Sequence, residues 1–479
     1  MAYFPSTYSS MRIAMLANNP CVTDARIRRE AEALAAMGHT VVIFAHWKQG
    51  LAASEHVNGV EYQRLPMRFV DRRNYRLSKR PNSAVKPAPA RAEQLPGGPA
   101  IKRTFLQKLQ RASVAKVRGL LFNHLSKKLN SVANTMRVQL GSRTAINSLT
   151  PSGDSLVRHA RHYTKPVSRW KPDVVHAHDL YTLLAGARIA RQAGARLVYD
   201  SHELELGRSG NFSERELLVR ARAEQSLITL ADGVITVCDS IEDFLADHYK
   251  IRRPEVIHNA PALTIPAERD GAPADHVRRR IGLSDDTPLA IYVGSVTFNR
   301  GVEQSVRALP HLPGVHLATV GPRNAKIEAE IQRIAEELGV HDRLHLIDPV
   351  PHDQVTSFVR TADVSLVTVQ NVCLSYKFCF PNKLLESLLS GVPVVVARLD
   401  ELQRMVSLTG GGVIVDETDP AAIAAGISEI VKNRQRYVLS PERVASLQKT
   451  YGWERQVEKL GAFYSRLQTG ERGAARKAG

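Results

Sequence analysis

The chain has 479 residues, 43% of them apolar and 23% charged. That is too long for one hydrophobic core, so two or more domains are expected, with the composition of a soluble globular protein. No run of about 18 apolar residues occurs, so no spanning helix is expected.

The formal charge of +18 is unevenly placed. Between Arg64 and Lys171 stand 24 Lys and Arg against three acids, Asp71, Glu93 and Asp154, and the rest of the chain is close to neutral. Such a block seeks anions: phospholipid headgroups, nucleic acid or an acidic partner. The opening MAYFPSTYSS lacks a basic start followed by an apolar block, so no signal peptide is expected. Cys21, Cys238, Cys373 and Cys379 form no C-x-x-C pair, which points to reduced thiols and a cytoplasmic protein.

In chain order, MRIAMLA (Met11–Ala17) reads as a strand, NNPCVTDARI as a polar loop, RREAEALAAMG as a helix and HTVVIFAHW as a second strand. A strand–helix–strand unit implies a parallel sheet. The basic insert, about residues 64–171, follows. Pro81–Ala100 reads as a loose linker, and residues 101–140 mix Leu, Phe and Val with Lys and Arg at helical spacing. Alternation resumes with strands at PDVVHAH, ARLVYDSHE, ADGVITVCD and PEVIHNAPAL, and a long helix over Ser213–Leu230. A second alternating block begins at LAIYVGS and continues through VHLATVG, RLHLIDP, VSLVTV, VPVVVA and GGVIVD. It closes with one helix over KTYGWERQVEKLGAFYSRLQ and a loose basic tail, GERGAARKAG.

The expected architecture is α/β: two Rossmann-like domains, residues 1–260 carrying the insert and residues 261–450. A terminal helix, 451–468, crosses back to the first domain, and 469–479 form the tail. Ligands of doubly wound sheets bind beyond the carboxyl ends of the strands, and a cleft between two such domains is the default site.

CFPNKLLESLLSGVPVVVA (Cys379–Ala397) places a lysine and one acid at the start of an otherwise apolar helix. Pro381 suits the first helical position, where its missing N–H costs nothing. The amides that follow and the positive end of the helix dipole attract an anion, and Lys383 adds a full charge. Glu386, one turn deeper, can accept hydrogen bonds from sugar hydroxyls. Phosphate plus a diol suggests the ribose of a nucleotide-sugar; a plain Lys–Glu pair on a solvated helix face is the alternative. YVGSVTFNRG puts Gly294 at a strand end and Arg300 before the next helix, where a guanidinium could clamp a diphosphate. VGPRN, with Gly321 and Arg323, and DPVP, with Val350, are further strand-end turns.

In the first domain HAHD sets His176 and His178 on one strand face. No further ligand follows at metal-like spacing, so no metal is expected. The loop CVTDARIRRE offers Asp24 and Arg26, and YDSHE offers Asp200, His202 and Glu203.

Together TDARIRREAEALAAMGH, VVHAHDLYTLLAG, VYDSHE, LADGVITVCDSI, VIHNAP, YVGSVTFNRG and PNKLLESLLSGVPVV resemble the family-four retaining glycosyltransferases of the GT-B fold. The resemblance covers most of residues 11–60 and 172–468. It implies transfer of a sugar from a nucleoside-diphosphate donor with retention at the anomeric carbon. Glu386 matches the second glutamate of the family's E-x7-E motif and would hold the ribose. Arg300 matches the basic residue that neutralises the diphosphate, and His178 the first-domain histidine that contacts donor sugar and phosphate. Gly294, Pro381, Asn382 and Leu384 would line the donor site, and Gly321, Arg323 and Val350 would lie near the base. Two positions depart from the pattern: Phe378 stands where the first glutamate falls, and Ser295 where the first arginine falls. The spacing P-x-K-x-x-E resembles a branch lacking that glutamate, with Lys383 supplying the phosphate contact.

Arg300, Lys383 and the helix amides can stabilise charge growing on the leaving phosphate. No nucleophilic carboxylate is evident, so retention would mean acceptor attack from the leaving-group side. No metal or other cofactor is required. The expected acceptor is a glycan or lipid-linked sugar of cell-envelope or exopolysaccharide synthesis. A basic amphipathic insert could dock on an anionic bilayer, and a solvated insertion is the alternative. The insert has few aromatics for stacking on bases, so no nucleic-acid partner is expected. Two rival functions use the same double fold: a nucleotide-sugar epimerase, and a non-catalytic membrane or assembly protein.

Overall fold

The computed structural model describes residues 9–66, 151–208, 212–260, 275–351 and 354–470. Among these, the chain divides into two compact units, Met1–Ile257 with Lys459–Gly479, and His258–Glu458. The centre of the basic insert, residues 67–150, lies outside the described residues, and so does the tail beyond residue 470.

The first unit is an eight-stranded sheet: β1 Arg12–Leu16, β2 Thr40–His46, β3 Ser54–Val57, β4 Val60–Leu65, β5 Val174–His178, β6 Arg196–Ser201, β7 Gly233–Thr236 and β8 Glu255–Val256. Its order is β3-β4-β2-β1-β5-β6-β7-β8, parallel except for the antiparallel pairing of β3 with β4. Strands β1 and β5 are buried almost throughout, as strands covered on both faces must be. The helix Ala25–Ala36 starts where the Asp24 side chain accepts the Ile27 amide, and it buries Ile27, Ala31 and Leu34 at helical spacing. The helix Glu214–Ile228 opens with a capping box between Ser213 and Glu216.

The second unit is a six-stranded parallel sheet: β9 Leu289–Val293, β10 His316–Val320, β11 Leu344–Ile347, β12 Val364–Val367, β13 Val394–Ala397 and β14 Gly412–Val415. Its order is β11-β10-β9-β12-β13-β14. One apolar core on each face, around Val302, Ile331 and Ile427 and around Leu289, Phe358 and Val392, encloses it. The strand order reverses between β1 and β5 in the first unit and between β9 and β12 in the second, so a crevice opens at the carboxyl ends of each pair.

Three expectations are corrected. The insert does not begin at Arg64 or end at Lys171. Arg64 is buried in β4, bonded to the carbonyls of Pro20 and Ala52 and paired with Glu55. Pro151–Trp170 is a helix whose Leu156, Ala160, Tyr163 and Val167 are buried and whose Tyr163 hydroxyl donates to the Ala17 carbonyl at 2.7 Å. Its basic residues mask a core-facing stripe of period 3.6. The closing helix is two, Pro441–Tyr451 and Trp453–Thr469, separated by Gly452 in an extended conformation. From Lys459 onward the second helix packs within the first unit, where the Tyr464 hydroxyl meets His176 Nδ1 at 2.9 Å. The hairpin β3–β4 was not expected. Its turn is Asn58-Gly59, both at positive φ (51° and 79°), an Asn-Gly signal that the sequence carries in plain view. No helix among the described residues is long and apolar enough to cross a membrane.

Candidate active site

In the second unit the polar residues gather at the switch between β9 and β12. Strand β9 runs out into Gly294, whose amide donates to the Val320 carbonyl at 2.9 Å, and Val296 donates to the Pro322 carbonyl at 2.9 Å. The exits of β9 and β10 are thereby bonded side by side. A Cβ on Gly321 would sit 2.1 Å from the Gly294 carbonyl oxygen, so only glycine permits this approach. Gly301, at the start of the helix Val302–Ala308, has the same role toward β12: a Cβ there would fall 2.0 Å from the Thr368 carbonyl oxygen. Arg300 is fixed between these two close approaches.

The Arg300 guanidinium stacks 4.6 Å over the Tyr376 ring. Its Nε is buried without a hydrogen-bond partner among the described residues. The Lys383 ammonium lies 3.6 Å from the centre of the Tyr292 ring, and a Cβ on Gly294 would come within 3.6 Å of it. The lysine therefore reaches from its helix back to the β9 turn. Burial lowers the Lys383 pKa to about 7, and the charge of Arg300 adds to the effect against weaker opposing pulls from Cys379 and Glu386. A buried ammonium and a half-buried guanidinium thus stand near each other with repulsion between them, an arrangement that an anion relieves.

Lys383 and Glu386 are both buried, which removes the solvated-face alternative. The helix is Asn382–Leu389, with Pro381 as its N-cap rather than its first residue, and the proline ring makes no capping bond. Asn382 is half-buried. Leu384 does not offer an open amide, because its N–H donates to the Pro381 carbonyl at 3.0 Å while its side chain is in the core. Arg323 is held in its own turn by Glu328, Asp348 and the Ile347 carbonyl. Val350 packs partly buried against the core around Leu289. Phe378 is 2% exposed, so this position offers core packing where an acid was expected from the resemblance. Ser295 is exposed and accepts the Tyr292 hydroxyl on its carbonyl at 3.0 Å. Tyr292 and Tyr376 were missed in the sequence, where nothing distinguishes an aromatic that floors a site from one that fills a core.

In the first unit a different cluster forms at the exits of β5 and β6. Arg26 grips Asp200 with two nitrogens, Nε at 3.0 Å and Nη2 at 2.9 Å, and donates from Nη1 to the Ile257 carbonyl at 2.7 Å. Its Nη2 also stands 3.1 Å from Glu30. His202 Nε2 lies 3.1 Å from Asp200 and 3.0 Å from His178 Nδ1. Its Nδ1 faces Asp179 at 3.7 Å. Burial alone would push Asp200 up, but Arg26 and His202 hold it well below the usual carboxylate range. Burial alone would lower His202, but Asp179 and Asp200 raise it to about 10. Burial and the neighbouring His176 hold His178 well below the ordinary histidine value. Glu30, buried and not expected from the sequence, is pushed up to about 8 by burial despite Arg26.

Glu30, His176, His178 and Asp200 each present a ligand atom, all within 4.8 Å of one another. The carboxylates were invisible to the spacing argument because they come from distant segments. Both already face the buried Arg26 guanidinium, so a dication there would meet a fixed positive charge.

Residues 23–260 match the family model of the glycosyl transferase 4-like domain, and residues 274–445 that of the glycosyl transferases group 1. The D-inositol 3-phosphate glycosyltransferase 1 of Catenulispora acidiphila is 28% identical over 322 residues, 63% of this chain and 74% of that protein. Sucrose-phosphate synthase from Thermosynechococcus elongatus has a similar solved structure, with a TM-score of 0.67 at 18% identity over 96% of this chain and 100% of that one. Anabaena Alr3699/HepE in complex with UDP-glucose gives 0.59 at 13% identity over 95% and 99%. At these identities the structural likeness concerns the fold.

Proposed function

Since the chain belongs to the group 1, family-four-like glycosyltransferases of the GT-B fold, we propose that it moves a sugar from a nucleoside-diphosphate donor to a glycan or lipid-linked acceptor, with retention. The observation that carries this reading is the pair Arg300 and Lys383, a half-buried guanidinium with a buried Nε and a buried ammonium beside a helix start. Their charge and the helix dipole suit a diphosphate whose negative charge grows as the glycosidic bond breaks. The cations take the part that a dication plays in other phosphate sites, so no metal enters the proposed mechanism. Glu386, one turn further into the same helix, accepts the ribose hydroxyls. Gly294, Gly321, Arg323, Val350, Pro381 and Asn382 form the surrounding turns and helix start against which the nucleotide lies, and Leu384 backs that helix start from the core.

His178 keeps the role that the family resemblance implies, a contact to donor sugar or phosphate; its Nε2 is buried with no hydrogen-bond partner among the described residues. No carboxylate is assigned as a nucleophile. Retention then follows from acceptor attack on the leaving-group side, with a phosphate oxygen taking the acceptor proton. Uridine is the first nucleotide to try, given the UDP-glucose complex of the similar Anabaena structure.

The basic excess of residues 67–150 in the sequence supports delivery of the enzyme to an anionic membrane that holds a lipid-linked acceptor, as in cell-envelope or exopolysaccharide synthesis. The test is transfer from a panel of nucleotide-sugars to glycan and polyprenyl-linked acceptors in anionic vesicles, for the whole chain and for one lacking residues 81–145. Transfer with the anomeric configuration kept is expected, and it should fall without the insert only for the membrane-held acceptor. Interconversion of the sugar without transfer, or inversion, would overturn the proposed reaction. Equal transfer by both chains would overturn the membrane part alone.

A further inference from the structure

One hydrogen bond in the first unit fixes more than it first suggests. His178 Nδ1 and His202 Nε2 are 3.0 Å apart, a distance at which one proton lies between two ring nitrogens. The other nitrogen of His178, Nε2, is buried with no hydrogen-bond partner among the described residues. Which ring owns the shared proton decides whether that free nitrogen donates or accepts.

The surroundings of His202 settle the ownership. Its two ring nitrogens face two carboxylates, Asp179 at 3.7 Å and Asp200 at 3.1 Å, and its backbone N–H donates to Asp179 Oδ1 at 3.3 Å. Asp179 is held at φ +59°, a left-handed conformation that an aspartate adopts at some cost and that aims its carboxylate at His202. The other charged groups around the pair are Arg26, Glu30, Glu203, Glu205 and Arg208, among which the cation Arg26 is committed to Asp200 and Glu30. His202 is therefore an imidazolium, in line with the rise of its pKa to about 10. An imidazolium has no lone pair, so the one proton on His202 Nε2 faces both Asp200 Oδ2 at 3.1 Å and His178 Nδ1 at 3.0 Å, and a second proton on His178 Nδ1 would oppose it; His178 Nδ1 is the accepting side.

We infer that His202 is a positioning residue: it locks neutral His178 in the tautomer that carries its proton on Nε2, making the unpartnered nitrogen a hydrogen-bond donor. His178 then serves an oxygen ligand, a sugar hydroxyl or a phosphate oxygen, and cannot act as a general base through that atom. This rests on the proposed role of His178 at the donor, but the tautomer itself does not. Without His202, Asp200 Oδ2, at 3.3 Å, becomes the partner of His178 Nδ1 and draws the proton to that side, leaving Nε2 bare.

The test combines two-bond ¹⁵N–¹H correlation spectra of histidine-labelled whole chain with transfer kinetics for His202→Gln, His202→Leu and His178→Ala. In the unsubstituted chain the His178 ring should show a protonated Nε2 and a bare Nδ1. His202→Gln, whose amide still donates, should keep that pattern and most of the activity. His202→Leu should reverse it and lose about 10- to 100-fold in kcat/KM, the scale of one charge-assisted contact. A protonated Nδ1 in the unsubstituted chain, or equal activity in the folded Gln and Leu variants, would overturn the inference. Unchanged transfer in His178→Ala would instead overturn the donor role of His178, whatever the tautomer.

Discussion

Both units place charged side chains out of water at the carboxyl end of a parallel sheet, but they balance them differently. In the first, Arg26 meets Asp200 and Glu30, and His202 meets Asp179 and Asp200, so each cation has its acid within the unit. In the second, Arg300 rests on a tyrosine ring, and Lys383 lies over another with its pKa drawn down to about 7. A compensated cluster is architecture that holds a histidine in place. An uncompensated one is a site awaiting an anion.

The comparison breaks first if the compensated cluster proves dispensable. Asp200→Asn leaves Arg26 and His202 buried against a neutral group and should cost about 3–5 kcal/mol. Thermal unfolding would register this as a fall of roughly 10 °C in Tm. Arg300→Met should behave in the opposite way. Transfer should fall by about 10²–10³ in kcat, as when a donor to a developing oxyanion is removed, while the Tm stays level or rises because a repulsive charge has gone. A large loss of stability in Arg300→Met would show that its charge is compensated after all. Glu386→Ala should have a smaller effect, raising the donor KM by the equivalent of about 1–3 kcal/mol with kcat nearly unchanged; unaltered KM would remove the ribose assignment.

The second site was largely legible in the sequence because its parts are local. Pro381, Lys383 and Glu386 fall within one helical turn or two, and Arg300 directly precedes a helix that begins at a glycine, so spacing alone sets their relative placement. The first site was legible only as a set of polar strand ends. Arg26 and Asp200 lie 174 positions apart, and no periodicity reports that one will grip the other. Glu30 was hidden for the same reason, inside a helix whose acids all look solvent-bound from the sequence. The helix Pro151–Trp170 was obscured by its own charges: Arg158, Arg161, Lys165 and Arg169 extend the basic run while Leu156, Ala160, Tyr163 and Val167 face the core. Phe378 illustrates the converse. Its position in the motif was clear, and its burial explains why it can replace an acid without leaving a hole in the unit.

The most direct measurement is calorimetric titration of a nucleoside diphosphate into the whole chain at pH 8, in two buffers of different ionisation enthalpy. Lys383, held down to about 7 by burial and by Arg300, is mostly neutral there and should regain its proton when the diphosphate anion binds beside the two cations. Uptake of close to one proton is expected, and it should vanish in Lys383→Met. Binding without proton uptake, or of equal strength and equal uptake in Lys383→Met, would contradict the claim that these two cations form the diphosphate site.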